Sequence, residues 1–267
     1  MPSVRRRPTL FIRASILLHG LALLAVVVVP GQWPWALGAV LVNHLLLAAI
    51  GLWPRSHWLG PNWTRLPAAA TARGEIALTI DDGPDPLVTP KVLDLLDRHA
   101  ARATFFCIGE KAERYPDLCR EIVRRGHAVE NHSQHHRHHF SLMGPRAMRR
   151  ELQAAQDTFT AIAGQRPVFF RAPAGLRNPF LDPVLAGLGL TLASWSMRGF
   201  DTRTGDALRV KTRLMRGLRA GAILLLHDGN SARTQGGNPV ILEVLPALLD
   251  SAASAGLRWV TLRHALS

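Results

Sequence analysis

The chain has 267 residues, of which 48% are hydrophobic, and a formal net charge of +13, so it can hold one large α/β domain with an appendage. The first 74 residues contain seven Arg and no acidic residue, which leaves +6 on the rest. No motif of a nucleic-acid-binding module accompanies this charge, so we expect no nucleic-acid partner. The two Cys follow no recognisable spacing and form neither a disulfide framework nor a zinc knuckle.

The N-terminal segment contains two apolar stretches, residues 14–30 and 35–53, and neither contains a charged residue. Each stretch approaches the ~20 residues that cross a bilayer, and a Gly-Gln-Trp-Pro turn separates them. A cleavable signal peptide would explain the first stretch but not the second, and no small-residue cleavage site follows Val29. We therefore predict a membrane anchor of two transmembrane helices within residues 1–54, followed by a juxtamembrane linker over 55–74.

Basic residues flank both apolar stretches. Four Arg, from Arg5 to Arg13, precede the first stretch, and three Arg follow the second one before residue 75. Loops on the cytoplasmic side carry an excess of Lys and Arg, and two spans return the chain to the side on which it started. The pattern predicts a bacterial-type inner membrane location and favours the cytoplasmic face for the large domain, whereas a single span would place that domain outside.

From residue 75 onward, short apolar, β-branched and aromatic segments alternate with segments of helical periodicity. Strands are predicted at residues 75–78, 103–108, 127–130, 168–171, 190–194, 222–227 and 259–262. This alternation is typical of a parallel sheet built from βαβ units, and about seven repeats approach the eight of a closed barrel. The predicted fold is α/β, a distorted, incomplete (β/α) barrel of about seven repeats, preceded by the transmembrane helical hairpin.

Side chains with chemical character come at the C-terminal ends of these predicted strands, the edge at which such folds build active sites. They are Asp81, Asp82, His132, Arg171, Asp201 and His227. The two neighbouring Asp at the end of the first strand can reach one pocket from different directions. One carboxylate would then hold a metal while the other stays free as a base, although a lone Asp-Asp pair in a turn is usually solvated.

Six of the twelve His lie between residues 127 and 139. Of these, His132 and His136 are four apart and follow a predicted strand, so with Asp82 they form a set of two imidazoles and one carboxylate. Zn²⁺ takes such ligands and, in catalytic sites, keeps one position open for water. Zn²⁺ is therefore the favoured divalent metal, while Co²⁺, Ni²⁺ and Fe²⁺ also accept these ligands. His135, His138 and His139 are expected to be solvated bystanders.

Four segments resemble, in order and spacing, the motifs of the polysaccharide deacetylase family (NodB homology, carbohydrate esterase family 4). They are Thr-Ile-Asp-Asp-Gly-Pro at 79–84, His-Ser-Gln-His-His at 132–136, Arg-Ala-Pro-Ala-Gly at 171–175 and Leu-Leu-His at 225–227. The resemblance covers residues 75–267. It implies a metal-dependent hydrolase that removes N-acetyl groups from an amino-sugar polysaccharide or a lipid-linked sugar, here at a membrane in which the chain is embedded.

The resemblance also implies roles for individual residues. Asp82, His132 and His136 would bind the divalent metal. Asp81 would be the general base that takes a proton from the attacking water, and Arg171 would orient Asp81 and keep it ionised.

The remaining roles concern the leaving group and the oxyanion, and here the chain departs from the family pattern. His227 would protonate the departing amine, with Asp201 as the carboxylate that tunes it, and the backbone N–H of Ala174 would stabilise the oxyanion. Ala174 stands where an aromatic residue is common, and Arg198 and Thr202 do not match the fourth motif around Asp201.

Two alternatives stay open, the first of them because of these departures and the second because water attack on an amide depends little on the acyl group. One is a non-catalytic carbohydrate-binding or scaffold protein that keeps the deacetylase fold. The other is an amidohydrolase that releases a different acyl group, such as formyl. The glycan and the oligomeric state are not determined by the sequence.

Overall fold

The computed structural model describes residues 6–266, so Arg5 of the basic flank and Ser267 of the predicted domain lie outside the described residues. Two apolar helices come first, α1 (Leu10–Val28) and α2 (Trp33–Gly51), joined by a 3₁₀ turn. Both are long and apolar enough to cross a membrane, and 6% and 11% of their apolar windows are buried. They contact one another as a hairpin whose outer surface is apolar and exposed.

Eight strands follow the hairpin, and every strand pair among the described residues is parallel. They are β1 (Glu75–Asp81), β2 (Ala103–Cys107), β3 (Ala128–Asn131), β4 (Phe169–Phe170), β5 (Thr191–Leu192), β6 (Met197–Arg198), β7 (Ile223–His227) and β8 (Arg258–Val260). Their order is β5-β4-β3-β2-β1-β7-β6, and β8 pairs with the first half of β1. All seven residues of β1 are buried at the centre of the sheet.

The helices after the hairpin pack against this sheet and cover its core. They are α3 (Ala68–Ala72), α4 (Thr89–Arg98), α5 (Gly109–Arg114), α6 (Pro116–Arg124), α7 (Pro145–Ala163), α8 (Leu181–Leu188), α9 (Ala207–Met215) and α10 (Val240–Ser254). The main core joins Leu96 of α4 and Leu248 of α10 to Ile80 of β1. One helix was expected over 110–125, but Pro116 begins a second helix there because proline lacks the N–H that a helix interior needs.

The sheet curls into an incomplete barrel. Its two edge strands, β5 and β6, are joined by only four residues, so the Cα atoms of Leu192 and Met197 are at most about 19 Å apart. Trp63 covers the β5 edge, because its N–H donates to Leu192 O at 2.9 Å and its carbonyl accepts from Ser194 N–H at 2.8 Å. The predicted α/β fold, an incomplete (β/α) barrel preceded by a helical hairpin, is confirmed, whereas β6 was not anticipated.

The segment predicted as a juxtamembrane linker, residues 55–74, is bonded to the barrel rather than extended away from it. Leu66 N–H donates to Gly221 O at 2.9 Å, and Leu59, Leu66 and Ala70 are buried. The segment therefore holds the hairpin close to the barrel, while the division of the chain at residues 54 and 74 stays a prediction.

Candidate active site and metal centre

The carboxyl end of β1 brings two carboxylates into one pocket. Asp81 is the last residue of β1 and is paired with Phe106 and His227 on the neighbouring strands. Asp82 follows with φ of +72°, a left-handed conformation that Asp tolerates better than most residues. This change of direction at the strand end lets both adjacent side chains, each buried, face the same cavity.

Two imidazoles from the loop after β3 meet the Asp82 carboxylate. The Nε2 atoms of His132 and His136 each lie 3.2 Å from Asp82 Oδ1. His132 Nδ1 is 2.8 Å from the carbonyl oxygen of Arg171, and a carbonyl only accepts, so Nδ1 carries the proton. Nε2 is therefore the ring nitrogen of His132 that faces Asp82, the arrangement of a metal-ligating histidine with its second shell in place.

The chemistry of this donor set fits a divalent cation. One ligand atom from each of Asp82, His132 and His136 lies within 4.8 Å of the others, and Asp82 Oδ1 is buried without a hydrogen-bond partner. Burial, together with His132, lowers the pKa of His136 to about 4, so its ring is neutral, the form that ligates. Burial raises the pKa of Asp82, but the adjacent imidazoles, led by His132, lower it below the usual range, so the carboxylate is ionised.

Arg171 crosses the barrel interior to hold Asp81. Its Nη1 donates to Asp81 Oδ1 at 2.7 Å, while Nε and Nη2 donate to the carbonyls of Ala193 and Ser194 at 3.0 and 2.7 Å. The guanidinium lies 4.1 Å from the ring centre of Phe106 and is fully enclosed. Asp81 Oδ1 is thus committed to Arg171, and Oδ2 faces the histidine cluster, 3.9 Å from His132 Nε2.

His227, at the carboxyl end of β7, is paired with a second buried carboxylate. Its Nδ1 lies 3.0 Å from Asp201 Oδ1, and its backbone N–H donates to Asp201 Oδ2 at 2.7 Å. Burial by itself lowers the pKa of His227, but the Asp201 carboxylate outweighs it and raises that pKa to about 9. The ring is therefore protonated at neutral pH and can act as a proton donor.

These side chains share a cavity of about 350 Å³. Asp81, Asp82, His132, His136 and His227 line it, as does Ala174, which lies exposed in a tight turn with φ of +54°. Arg171 and Asp201 lie behind Asp81 and His227. Every residue selected from the sequence thus belongs to this one site or supports it.

Sequence reasoning missed other residues of the cavity. Trp195, Arg203 and Asn230 line it, and Asn230 Nδ2 donates to Asp82 Oδ2 at 3.2 Å. Asn230 comes three residues after His227, so the strand-end rule that selected His227 also applies to it. His138, expected to be a solvated bystander, lines the cavity too, whereas His135 faces Glu151 on the surface.

The known proteins that this chain resembles in sequence are described as deacetylases. A polysaccharide deacetylase family model matches residues 68–193. The chain is 32% identical over 193 residues to a peptidoglycan-N-acetylglucosamine deacetylase of Bacillus cereus, which covers 72% of this chain and 87% of that protein. It is 34% identical over 165 residues to a chitooligosaccharide deacetylase of Sinorhizobium fredii, with coverage of 61% and 76%.

A solved structure shows the same fold. A carbohydrate esterase family 4 pseudoenzyme from Bacillus anthracis superposes with a TM-score of 0.68 at 21% identity, covering 79% of this chain and 71% of that one. With the sequence relatives and the motifs at the carboxyl edge of the sheet, this places the chain in the polysaccharide deacetylase family, carbohydrate esterase family 4.

Proposed function

We propose that this chain is a divalent-metal-dependent hydrolase that removes N-acetyl groups from an amino-sugar glycan or a lipid-linked sugar at a membrane. The observation that carries the proposal is that one cavity holds a base, an acid and a ligand cluster, and each has its own orienting partner. Asp81 is held by Arg171, His227 is held by Asp201, and His132 is held by the carbonyl of Arg171. The deacetylase names of the relatives support the same reaction.

Asp82, His132 and His136 would hold the metal, and Zn²⁺ suits two imidazoles and a carboxylate best, with Co²⁺, Ni²⁺ and Fe²⁺ as alternatives. When bound there, the cation supplies Lewis-acid polarisation of the attacking water and of the acetyl carbonyl.

The side chains of the cavity would move the protons. Asp81 accepts a proton from water at Oδ2, since Oδ1 is occupied by Arg171. The N–H of Ala174 donates to the carbonyl oxygen as it gains negative charge. His227 donates its proton to the amide nitrogen, so the C–N bond breaks to give an amine and acetate. An amine leaves poorly without that proton, which is why an acid is needed beside the base.

The hairpin would anchor this enzyme in a bacterial-type inner membrane. Exposed Trp side chains lie at both ends of the hairpin: Trp33 and Trp35 next to its turn, and Trp53 and Trp58 next to the barrel. Such aromatic belts are typical of the two membrane–water interfaces. We place the barrel on the cytoplasmic face, because the Arg that flank the hairpin lie at the barrel end.

Labelling of an added cysteine tests this orientation. Arg150 is exposed on α7, while Cys107 and Cys119 are buried. In Arg150→Cys, a membrane-impermeant maleimide should label the protein only after cells are permeabilised. Labelling in intact cells would place the barrel on the outer face.

The activity test is acetate release from N-acetylglucosamine oligomers by the detergent-solubilised full chain, with and without a chelator. We expect release that the chelator abolishes and that Asp81→Asn lowers by about 10²- to 10⁴-fold. Asp117→Asn, at an exposed position on α6, is the matched control and should retain activity. Formate release from an N-formyl sugar in place of acetate would favour the other amidohydrolase. Protein that neither binds a divalent metal nor releases either acid would favour a binding protein.

A further inference from the structure

The barrel end of the hairpin is built into the wall of the cavity. The carbonyl of Gly51, the last residue of α2, accepts from the N–H of Arg177 at 3.2 Å. Gly175 is enclosed between Pro54 and Trp195, because a Cβ built on it would lie 2.7 Å from Pro54 Cβ and 2.6 Å from Trp195 Cη2. Gly175 and Trp195 both line the cavity. Gly175 therefore lies between the cavity and Pro54, which belongs to the segment that follows the hairpin.

The start of the hairpin is fastened near the same place. Arg6 Nη1 lies 3.0 Å from Asp182 Oδ1 on α8, and Thr9 Oγ1 donates to Trp58 O at 2.6 Å. Both ends of the anchor thus meet the barrel beside the loop that follows β4. With the anchor in a bilayer, the cavity lies at the membrane surface, where a substrate held in the same bilayer can reach it.

One wall of the cavity carries an arginine whose side chain donates no hydrogen bond to any residue that the structure describes. Arg198 lies 5.2 Å from the ring centre of Trp195 and 4.5 Å from that of Phe200, and its Nε atom is buried with no hydrogen-bond acceptor. A buried cationic donor without an acceptor is costly unless a ligand supplies one. Arg55, at the end of the hairpin, donates to the carbonyl of Ser196, two residues before Arg198.

The acidic groups of the site attract Arg198 only from a distance, because each of them has a closer partner. Asp81 is paired with Arg171, Asp82 with the two imidazoles, and Asp201 with His227. Arg203, exposed, also lines the cavity, and among the residues that the structure describes no carboxylate or other acceptor binds its side chain.

The positive charge continues outward from the cavity. An adjoining depression of about 240 Å³ shares Arg203 with the cavity and contains two more cations. It is lined by Phe200, Arg203, Thr204, Arg209 and Arg213. The guanidinium of Arg213 lies 5.1 Å from the ring centre of Phe200. A neutral glycan would not compensate the charge of these arginines, whereas an anionic group would.

Resting on the proposed deacetylase function, we propose that the substrate is an N-acetylated sugar joined to a lipid through a phosphate or diphosphate, and that Arg198 and Arg203 bind the phosphate. A planar guanidinium can donate two parallel hydrogen bonds to phosphate oxygens. A phosphate on the substrate therefore explains why two arginines, and not neutral side chains, line this part of the cavity. The hairpin brings the same cavity to the membrane, which explains the lipid. A soluble sugar phosphate shares the phosphate chemistry but not the lipid.

Three matched probes distinguish the contribution of the phosphate from that of the lipid. They are decyl N-acetylglucosaminide, the same sugar joined to the decyl chain through a phosphodiester, and soluble N-acetylglucosamine 1-phosphate. We expect kcat/KM for acetate release by the full chain in neutral detergent to be at least about tenfold higher for the phosphodiester than for the decyl glycoside. Arg198→Gln and Arg203→Gln should each lower that preference by about 10- to 100-fold, mainly through KM. Arg150→Gln, on exposed α7, should leave it unchanged.

The outcomes are distinguishable. Equal kcat/KM for the two decyl probes would overturn the phosphate site while leaving deacetylation intact. Full activity on the soluble sugar phosphate would support the arginine–phosphate contact and overturn the lipid. Absence of acetate from all three probes and from N-acetylglucosamine oligomers would overturn the proposed function itself. Because Arg203 is exposed, Arg203→Gln keeps the test valid if Arg198→Gln does not fold.

Discussion

Arg171 Nη1 lies 2.7 Å from Asp81 Oδ1 in the barrel interior, where both side chains are buried. The pair joins the end of β4 to the end of β1, and it leaves one oxygen of Asp81 free to face the histidine cluster. Breaking a buried ion pair leaves the other charge without compensation, which costs several kcal/mol. The same contact therefore orients the proposed base and stabilises the curled shape of the sheet.

Arg171→Lys should show that the guanidinium shape matters as well as its charge. Lysine cannot donate to Ala193 O and Ser194 O while it also contacts Asp81, so two buried carbonyls lose their donors. We expect the free energy of unfolding to fall by about 2–5 kcal/mol, together with a loss of acetate release. Chemical denaturation measures the first quantity, with Arg150→Lys as the control. A variant with wild-type stability would show that these carbonyls do not need the arginine.

Metal binding should depend on His132 and not on its solvent-exposed neighbours. His132→Gln removes the Nε2 ligand and its link to the Arg171 carbonyl, so affinity for Zn²⁺ should fall by more than about 100-fold. His135→Gln is the matched control, because the His135 ring faces Glu151 on the surface. Calorimetric titration with Zn²⁺ of both variants checks this. Equal affinities would mean that Asp82, His132 and His136 do not form the metal centre.

The protonation of His227 should depend on Asp201. The pKa of His227 is about 9 in the folded chain, against an ordinary value of 6.5, because the Asp201 carboxylate outweighs burial. Titration of the metal-free protein by NMR should show this value, and Asp201→Asn should lower it, since burial is then opposed only by the charges of Asp81 and Asp82. A divalent cation in the cavity would lower it by repulsion. An unchanged pKa in Asp201→Asn would contradict the assignment of Asp201 as the tuning carboxylate.

The same pair makes stability depend on pH in a defined direction. Because the folded pKa of His227 lies above the unfolded value, its contribution is fully present below about pH 6.5 and is lost as pH rises through about 9. The difference in unfolding free energy between the wild type and His227→Gln, measured without metal, should therefore shrink across that window. A difference that stays constant from about pH 6 to about pH 10 would contradict the raised pKa of His227.

Docking of the anchor on the cavity wall should be sensitive to Gly175. Gly175 has φ of +75°, and an added Cβ would overlap Pro54 and Trp195. Gly164 is a matched control, because it has φ of +68° and nothing within 4 Å of an added Cβ. Both Ala variants carry the left-handed backbone penalty of about 1–2 kcal/mol. Only Gly175→Ala should lower the unfolding temperature further and also lower activity, which thermal unfolding in detergent and acetate release would show. Equal losses in the two variants would mean that the contact with Pro54 and Trp195 is not needed.

Local patterns determined much of this protein. Alternating apolar segments specified the order of strands and helices, because burial on one face or on both leaves a period that can be read along the chain. The strand-end positions of Asp81, Asp82, His132 and His227 followed from the same pattern, since parallel strands end at one edge. Two uninterrupted apolar stretches were enough to indicate the hairpin.

Other features were decided only when the chain folded. β6 has two residues, too few to show any period, so its pairing with β7 follows from the curl of the sheet and not from its own sequence. That pairing brings Arg198 to the cavity. Contacts across more than a hundred residues fasten the end of α2 to the Gly175 loop. The pattern of apolar residues along the chain indicates which segments are buried. Long-range packing decides which of those segments contact one another.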